Sequence, residues 1–334
     1  MKKIAIFFTI IVLSLLIKSE VSANEEINQD IPIVDASNHI YTFAEMECDI
    51  AQLQASYPNY FSCYVTGMSV DGRRIWELVI GNPQAPKAIY IQAAIHGREW
   101  MNSWMLMKQI EMIMLNWNTP IAEGENIGSV FGKCAVYIVP MVNPDGVTIS
   151  ESGINAISNP TIRENLYRMK GASNPCRWKA NAAGVDLNRN FSTGWGNVIN
   201  VNAPSSQCYN GICAFTEPEI LAVVNVFMQR RFEAAITYHS MEGAIYWDIG
   251  QTGDVLNRTY ELANIVKNIT GYKLGEKSVI RGLDYNWMIM DQLTPTVLIE
   301  TGTVQCPLPY TQWDEIWLRN KDLITQLAMI YACK

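Results

Sequence analysis

The stretch "IYIQAAIHGREWMNSW", residues 89 to 104, decides how the rest of the chain is read. Its apolar first half, part of "KAIYIQAAI", has the character of a strand covered on both faces of a sheet. That run ends in His96, Gly97, Arg98 and Glu99, and a helical pattern begins over 100–117. A histidine and a glutamate three apart at the lip of a buried strand place two metal-competent side chains on one short loop. On this segment alone a polar turn would read the same way, so the neighbouring elements must decide.

Outward from that strand, "TFAEMECDIAQLQASYP" (42 to 58) has apolar residues at helical spacing and stops at a proline. "FSCYVTGMSVDGRRIWELVIGN" reads as two strands joined at Asp71-Gly72. "KCAVYIVPMVNPDGV" supplies a buried strand ending in an Asn-Pro-Asp-Gly turn. "EPEILAVVNVFMQRR" is a helix from about Glu217, followed by the strand "FEAAITYHS". A helix over about 255–269, the strand "TPTVLIETG" and one closing helix, "WDEIWLRNKDLITQLAMIYA", complete the pattern. Strands alternating with helices predict an α/β sandwich on a mostly parallel or mixed sheet, with ligands beyond the carboxyl ends of its strands.

Three of those ends carry polar residues able to do chemistry: His96 and Glu99 in "AAIHGRE", His239 in "AITYHS" and Glu300 in "TVLIETG". Two imidazoles and a carboxylate make a three-ligand zinc site with a position left for water. The third histidine, His39 in "ASNHIY", reads as a surface residue.

The ends and the composition set the class of protein. Lys2 and Lys3 precede an apolar run from Ile4 to Ile17, and "VSA" ending at Ala23 has the small residues of a signal-peptidase site. The run is short for a membrane span. Residues 1–23 are therefore expected to be a signal peptide, 24–40 a short N-terminal segment and 41–334 a single catalytic domain, secreted or exported to the cell envelope. Removing that leader takes away three lysines and one glutamate, which moves the net charge from -7 to -9. An acidic chain argues against a nucleic-acid partner and offers no stable membrane span after cleavage; a monomer is favoured. Eight cysteines at 48, 63, 134, 176, 208, 213, 306 and 333 lack any C-x-x-C pair. In an exported chain that even count predicts disulfides, with Cys208 and Cys213 as the local pair. Apolar residues make up 49% of the chain, enough to bury a large core.

"HGREW", "NPDG", "GVDLNRNF", "YHS" and "IETG", in that order over nearly the whole mature chain, resemble the carboxypeptidase A-like zinc metallopeptidases. The resemblance implies one zinc per chain and an α/β domain around a central, mixed, mostly parallel eight-stranded sheet. It implies His96, Glu99 and His239 as the zinc ligands, and Glu300 as the general base and acid. Asn188 and Arg189 match the residues that hold a substrate carboxylate, a task suited to the guanidinium fork. Asp186 is expected to orient a neighbouring ligand.

The match also departs from the family. Where an arginine stabilises the oxyanion, alignment on Trp178 sets Lys179, with Arg177 and Arg168 as competitors. The family's mobile tyrosine has no counterpart in "LGEKSVIRGLDYNWMIMDQ"; Tyr285 aligns with the specificity pocket. The segment ahead of the first helix is too short for the inhibitory pro-domain of digestive members, so no zymogen is expected. "WKANAAGVDLNRNF" and "YHSMEGAIYWDIGQ" are similar to the bacterial branch that cleaves γ-D-glutamyl bonds to diamino acids in peptidoglycan stem peptides. The expected partner is thus a peptide or muropeptide, cut before meso-diaminopimelate or lysine, with Tyr246 and Trp247 lining the way. The alternatives are a general metallocarboxypeptidase, in which Tyr285 or Asp284 shapes the side-chain pocket, and a non-catalytic binding module on the same fold.

Overall fold

The computed structural model describes residues 32–35, 40–196 and 201–334. Eight strands build the main sheet: β1 (Phe61–Met68), β2 (Arg74–Ile80), β3 (Lys87–Gln92), β4 (Cys134–Val139), β5 (Ala234–Ser240), β6 (Ala244–Tyr246), β7 (Lys273–Leu274) and β8 (Thr296–Thr301). Their spatial order is β1-β2-β4-β3-β5-β8-β6-β7. The pairs β3–β4, β3–β5, β5–β8 and β6–β7 are parallel, and β1–β2, β2–β4 and β6–β8 antiparallel. This is the mixed eight-stranded sheet that the resemblance implies.

The all-apolar strands are explained by cover on both faces. Ile89 and Ile91 of β3 point into one cluster with Ile236, Tyr238, Val297 and Ile299. Ala88 and Tyr90 point into the other with Ala135, Val139 and Ala235. Alternation along a strand therefore produces two cores rather than one wet face. The first core is roofed by α1 (Phe43–Ser56), α2 (Met101–Leu115) and the C-terminal helices, where Trp104 stacks on Trp313 with ring centroids 3.8 Å apart. The second is roofed by α4 (Pro218–Gln229), introduced after α3 (Pro144–Ser152), and by α6 (Asp284–Met290); α5 (Gly253–Thr270) lies between them in sequence.

Three expectations need correction. "NPDG" is not a turn but the start of α3: the Asn143 side chain accepts the Gly146 N–H at 2.8 Å and Pro144 takes the first helical position. A capping asparagine and a proline at that position favour a helix start as strongly as a turn. The closing helix is two, α7 (Trp313–Asn320) and α8 (Leu323–Ala332). The eight cysteines are free thiols rather than disulfides. Cys134 opens β4 as a buried apolar residue, and the Cys306 thiol is buried against the Arg98 carbonyl at 3.4 Å. The loop carrying Cys208 and Cys213 is fastened by its backbone instead: Cys208 N–H donates to Asp186 at 2.9 Å, and the Cys213 carbonyl accepts from Asn190 at 2.9 Å.

Residues Ile33–Lys334 form one compact unit. The expected leader, residues 1–23, and His39 lie outside the described residues. Among the described residues no helix is long and apolar enough to cross a membrane.

Candidate metal centre

His96 leaves the end of β3 in extended conformation, and Gly97–Glu99 form a single tight turn before α2. That turn lies against α3 so closely that a Cβ on Gly97 would stand 2.2 Å from the Gly146 backbone. Only glycine permits the approach. Asn143 ties the region together, its Nδ2 donating to the carbonyls of Ile95, Lys179 and Ala180 at 3.1 to 3.2 Å. Gly97 N–H also donates to the Lys179 carbonyl at 3.1 Å. The "HGRE" turn, the "NPDG" helix start and the Lys179 loop are thus one hydrogen-bonded assembly.

Within it, His96, Glu99 and His239 bring one ligand atom each to within 4.8 Å of one another, the one such group among the described residues. All three are buried. Nδ1 of His96 meets one Glu99 oxygen at 2.8 Å and Nδ1 of His239 meets the other at 3.0 Å. The outer nitrogens have carboxylate partners: His96 Nε2 lies 3.2 Å from Asp186, and His239 Nε2 lies 3.6 Å from Asp284. Such partners fix each imidazole with Nε2 protonated and Nδ1 free to ligate. Two neutral Nδ1 donors and a carboxylate oxygen, oriented from behind, fit zinc with a position left open.

The charges agree with a site built for a cation. Burial alone would raise the Glu99 carboxyl, but the two imidazoles outweigh it and hold the group well below its usual range. Asp186 behaves likewise: His96, Lys179 and Arg189 overcome its burial. Burial works against a charged His239, yet Asp284 and Glu99 raise it.

Glu300 reaches this site through sheet register. Parallel pairing sets it directly beside His239, and the antiparallel partner sets it beside Ala244. Its Oε2 is buried and has no hydrogen-bond partner among the described residues. Burial pushes its carboxyl up to about 7, with Glu99 and Glu242 adding to the rise while His239 and Lys179 pull against it.

Of the residues matched to substrate binding, Arg189 keeps free capacity: Nη1 donates to the Asn188 carbonyl at 2.6 Å, and its buried Nε–H lacks a partner among the described residues. Asn188 is positioned beside this centre: its Oδ1 accepts the Asp284 N–H at 2.8 Å, and its Nδ2 group lies 3.3 Å from His239 Nε2. Tyr285, 1% exposed, packs with Ile249, Leu283 and Leu298, supporting a wall from behind. Among the oxyanion competitors, Arg168 is paired with Glu164 on an exposed helix and Arg177 is exposed. Lys179, half-buried, is the one whose charge reaches Glu300 and Asp186. Tyr246 contacts Glu242 and lies within electrostatic reach of Glu300, whereas Trp247 turns away onto Tyr260, with rings 5.0 Å apart. Trp247 follows the end of β6 and packs onto Tyr260 instead of facing Glu300.

Sequence reasoning missed the roles of Asp284 and Asn143. Asp284 is itself fixed by Gln92 Nε2 at 2.7 Å, and Tyr90 donates to Gln92 at 2.8 Å, a buried chain running from the core to His239. The polar Gln92 inside an otherwise apolar strand was the available signal.

Comparison with known proteins agrees with this geometry. Residues 46–291 match the zinc carboxypeptidase family, a span that stops short of Glu300. A γ-D-glutamyl-L-diamino acid endopeptidase of Lysinibacillus sphaericus is 28% identical over 83% of this chain and 69% of its own length. The YqgT protein of Bacillus subtilis is 30% identical over 83% of this chain and 74% of its own. The crystal structure of thrombin-activatable fibrinolysis inhibitor superposes with a TM-score of 0.70 at 18% identity, over 91% of this chain and 78% of that one.

Proposed function

Since this chain belongs to the zinc carboxypeptidase family and is a zinc metallopeptidase, we propose that it is an exported enzyme hydrolysing the γ-D-glutamyl bond to a diamino acid in peptidoglycan stem peptides. The observation that carries the substrate is the likeness to the Lysinibacillus endopeptidase over most of this chain. Export is supported by Lys2, Lys3 and the apolar run 4–17.

Zinc, held by His96, Glu99 and His239, would supply Lewis-acid polarisation of the scissile carbonyl and acidify a water. Glu300, with an unpartnered oxygen beside His239, takes the water's proton and passes it to the leaving amine. Lys179 faces the developing oxyanion as a point charge. The Arg189 guanidinium meets the carboxylate of the diamino acid beyond the bond. Tyr246 walls the longer acyl arm that a γ-linked glutamate presents.

The test compares kcat/KM on L-Ala-γ-D-Glu-meso-diaminopimelate with ordinary α-linked peptides. The γ-linked substrate is expected to lead by at least about tenfold, near 1.4 kcal/mol in transition-state binding. Glu300→Gln is expected to keep zinc while losing at least ~100-fold in kcat. If α-linked peptides win, the enzyme is a general carboxypeptidase; if Arg189→Ala leaves both values unchanged, the carboxylate contact is misplaced.

A further inference from the structure

The loop between β7 and α6 carries two cations, Lys277 and Arg281. Both come to one point: a Cβ on Gly250 would stand 3.2 Å from Lys277 Nζ and 4.0 Å from Arg281 Nη2. Arg281 donates from Nη2 to the Ile249 carbonyl at 2.9 Å and from Nη1 to the carbonyls of Ser278 and Ile280 at 3.3 and 3.1 Å, all neutral partners. Lys277 is exposed, and neither cation forms an ion pair among the described residues. Asp248, in the facing turn, gives its Oδ1 to the Gly250 N–H at 2.8 Å. Two positive charges thus converge with no carboxylate paired to either.

The same loop is fastened at both ends to residues of the site. Gly275 N–H donates to the Ile245 carbonyl and Ser278 N–H to the Asp248 carbonyl, each at 2.8 Å, which lays the loop along β6 and its continuation. A Cβ on Gly275 would stand 2.7 Å from the Tyr246 ring, and Tyr246 lies within electrostatic reach of Glu300. At the other end Gly282 N–H donates to the Thr193 carbonyl at 2.8 Å, and the Gly282 carbonyl accepts the Phe191 N–H at 3.3 Å. The Arg281 side chain lies against Gly194, where a Cβ would stand 2.7 Å from it. Residues 191–194 continue directly from Arg189, so the two cations lie between the Tyr246 wall beside Glu300 and the segment that presents Arg189.

We propose that Lys277 and Arg281 read a distal carboxylate on the leaving diamino acid, so that the enzyme cuts before meso-diaminopimelate and discriminates against lysine. The inference rests on the reading above, in which Arg189 holds the carboxylate next to the leaving amine; the side chain of that residue then runs on to the loop. A lysine side chain brings only an ammonium to two like charges. The far end of meso-diaminopimelate carries a carboxylate as well, which a guanidinium and an ammonium attract together. Attraction of one substrate and repulsion of the other both widen the difference.

The experiment measures kcat and KM of the zinc-loaded protein on L-Ala-γ-D-Glu-meso-diaminopimelate, on the same peptide with its distal carboxyl amidated, and on L-Ala-γ-D-Glu-L-Lys. Two α-linked peptides, ending in glutamate and in lysine, are measured beside them. The free acid is expected to lead both its amide and the lysine peptide by about tenfold or more in kcat/KM, mainly through KM. That lead is expected to shrink as salt is raised, because Lys277 is exposed. Lys277→Glu is expected to cut the lead over lysine by at least about tenfold while zinc content stays at the parent level. Equal cleavage of acid and amide, a parent preference for lysine, or a Lys277→Glu protein with the parent's ratio would each overturn the inference. The α-linked pair separates this from the bond assigned above. If α-linked peptides are cut best, the γ-glutamyl reading fails; glutamate over lysine in that pair still supports the charge reading, and lysine over glutamate overturns it.

Discussion

Glu99 and Asp186 at the metal centre and Asp145 and Glu219 beneath the β1–β2 hairpin are equally buried carboxyl groups with opposite behaviour. The first two are held far down, because imidazoles and the charges of Lys179 and Arg189 more than offset burial. In the second pair burial wins. Asp145 is raised although Arg73 donates to it at 2.8 Å, and Glu219 is pushed up to about 8 by burial, with Asp145 adding to the rise. Burial by itself turns a carboxylate into a neutral acid; converging positive charge keeps it ionised. The difference lies in what faces the group, not in how deeply it sits.

The largest expected effect comes from breaking the metal side of that contrast. His239→Ala removes a ligand and one of the two imidazoles that hold Glu99 low, so zinc bound after dialysis should fall from about one per chain to almost none, and hydrolysis with it. Zinc retained at the parent level, read by elemental analysis, would exclude His239 from the ligand set.

A smaller effect tests whether the two arms of the centre are equivalent. Asp284→Asn and Asp186→Asn each leave the ligands in place but weaken the acceptor behind one imidazole, and each should loosen zinc by about 10–100-fold, measured by competition with a chromogenic chelator. The Asp284 contact to His239 is the longer of the two, 3.6 Å against 3.2 Å, so the Asp284 variant should sit at the mild end. Parent-like zinc affinity in both variants would reduce these carboxylates to packing.

The smallest effect is on the other side of the comparison. Glu219 binds its proton more tightly in the folded chain than an unfolded glutamate does, so between about pH 4.5 and 8 the folded state holds the extra proton. Its contribution is then fully present below the unfolded value and is lost as pH rises, with a slope of at most about 1.4 kcal/mol per pH unit. Urea unfolding of zinc-free protein at pH 5 and pH 7.5 should show that loss in the parent and a flatter dependence in Glu219→Gln. An identical pH dependence in both proteins would mean that Glu219 is already ionised in the fold.

What the sequence determined by itself is what local periodicity and short spacing encode. The apolar runs of β3, β4, β5 and β8 announce strands buried on both faces, and the polar residues ending three of them mark the side on which chemistry occurs. His96 and Glu99 share one turn, so their pairing could be read without the fold. The tertiary structure alone decided the rest, because those features depend on which distant segment lies alongside. Glu300 stands beside His239 only through the parallel register of β8 on β5. Asn188 lies between His239 and the first residue of α6 because those distant segments converge there. "NPDG" starts a helix rather than a turn because the Asn143 side chain caps it and three neighbouring carbonyls hold that asparagine in place. The cysteines count as an even set in sequence, yet pairing needs two thiols brought together, and backbone hydrogen bonds already fasten the loop where a bridge was expected. A one-dimensional pattern fixes what each segment wants to bury; only the packed chain fixes which groups meet once it is buried.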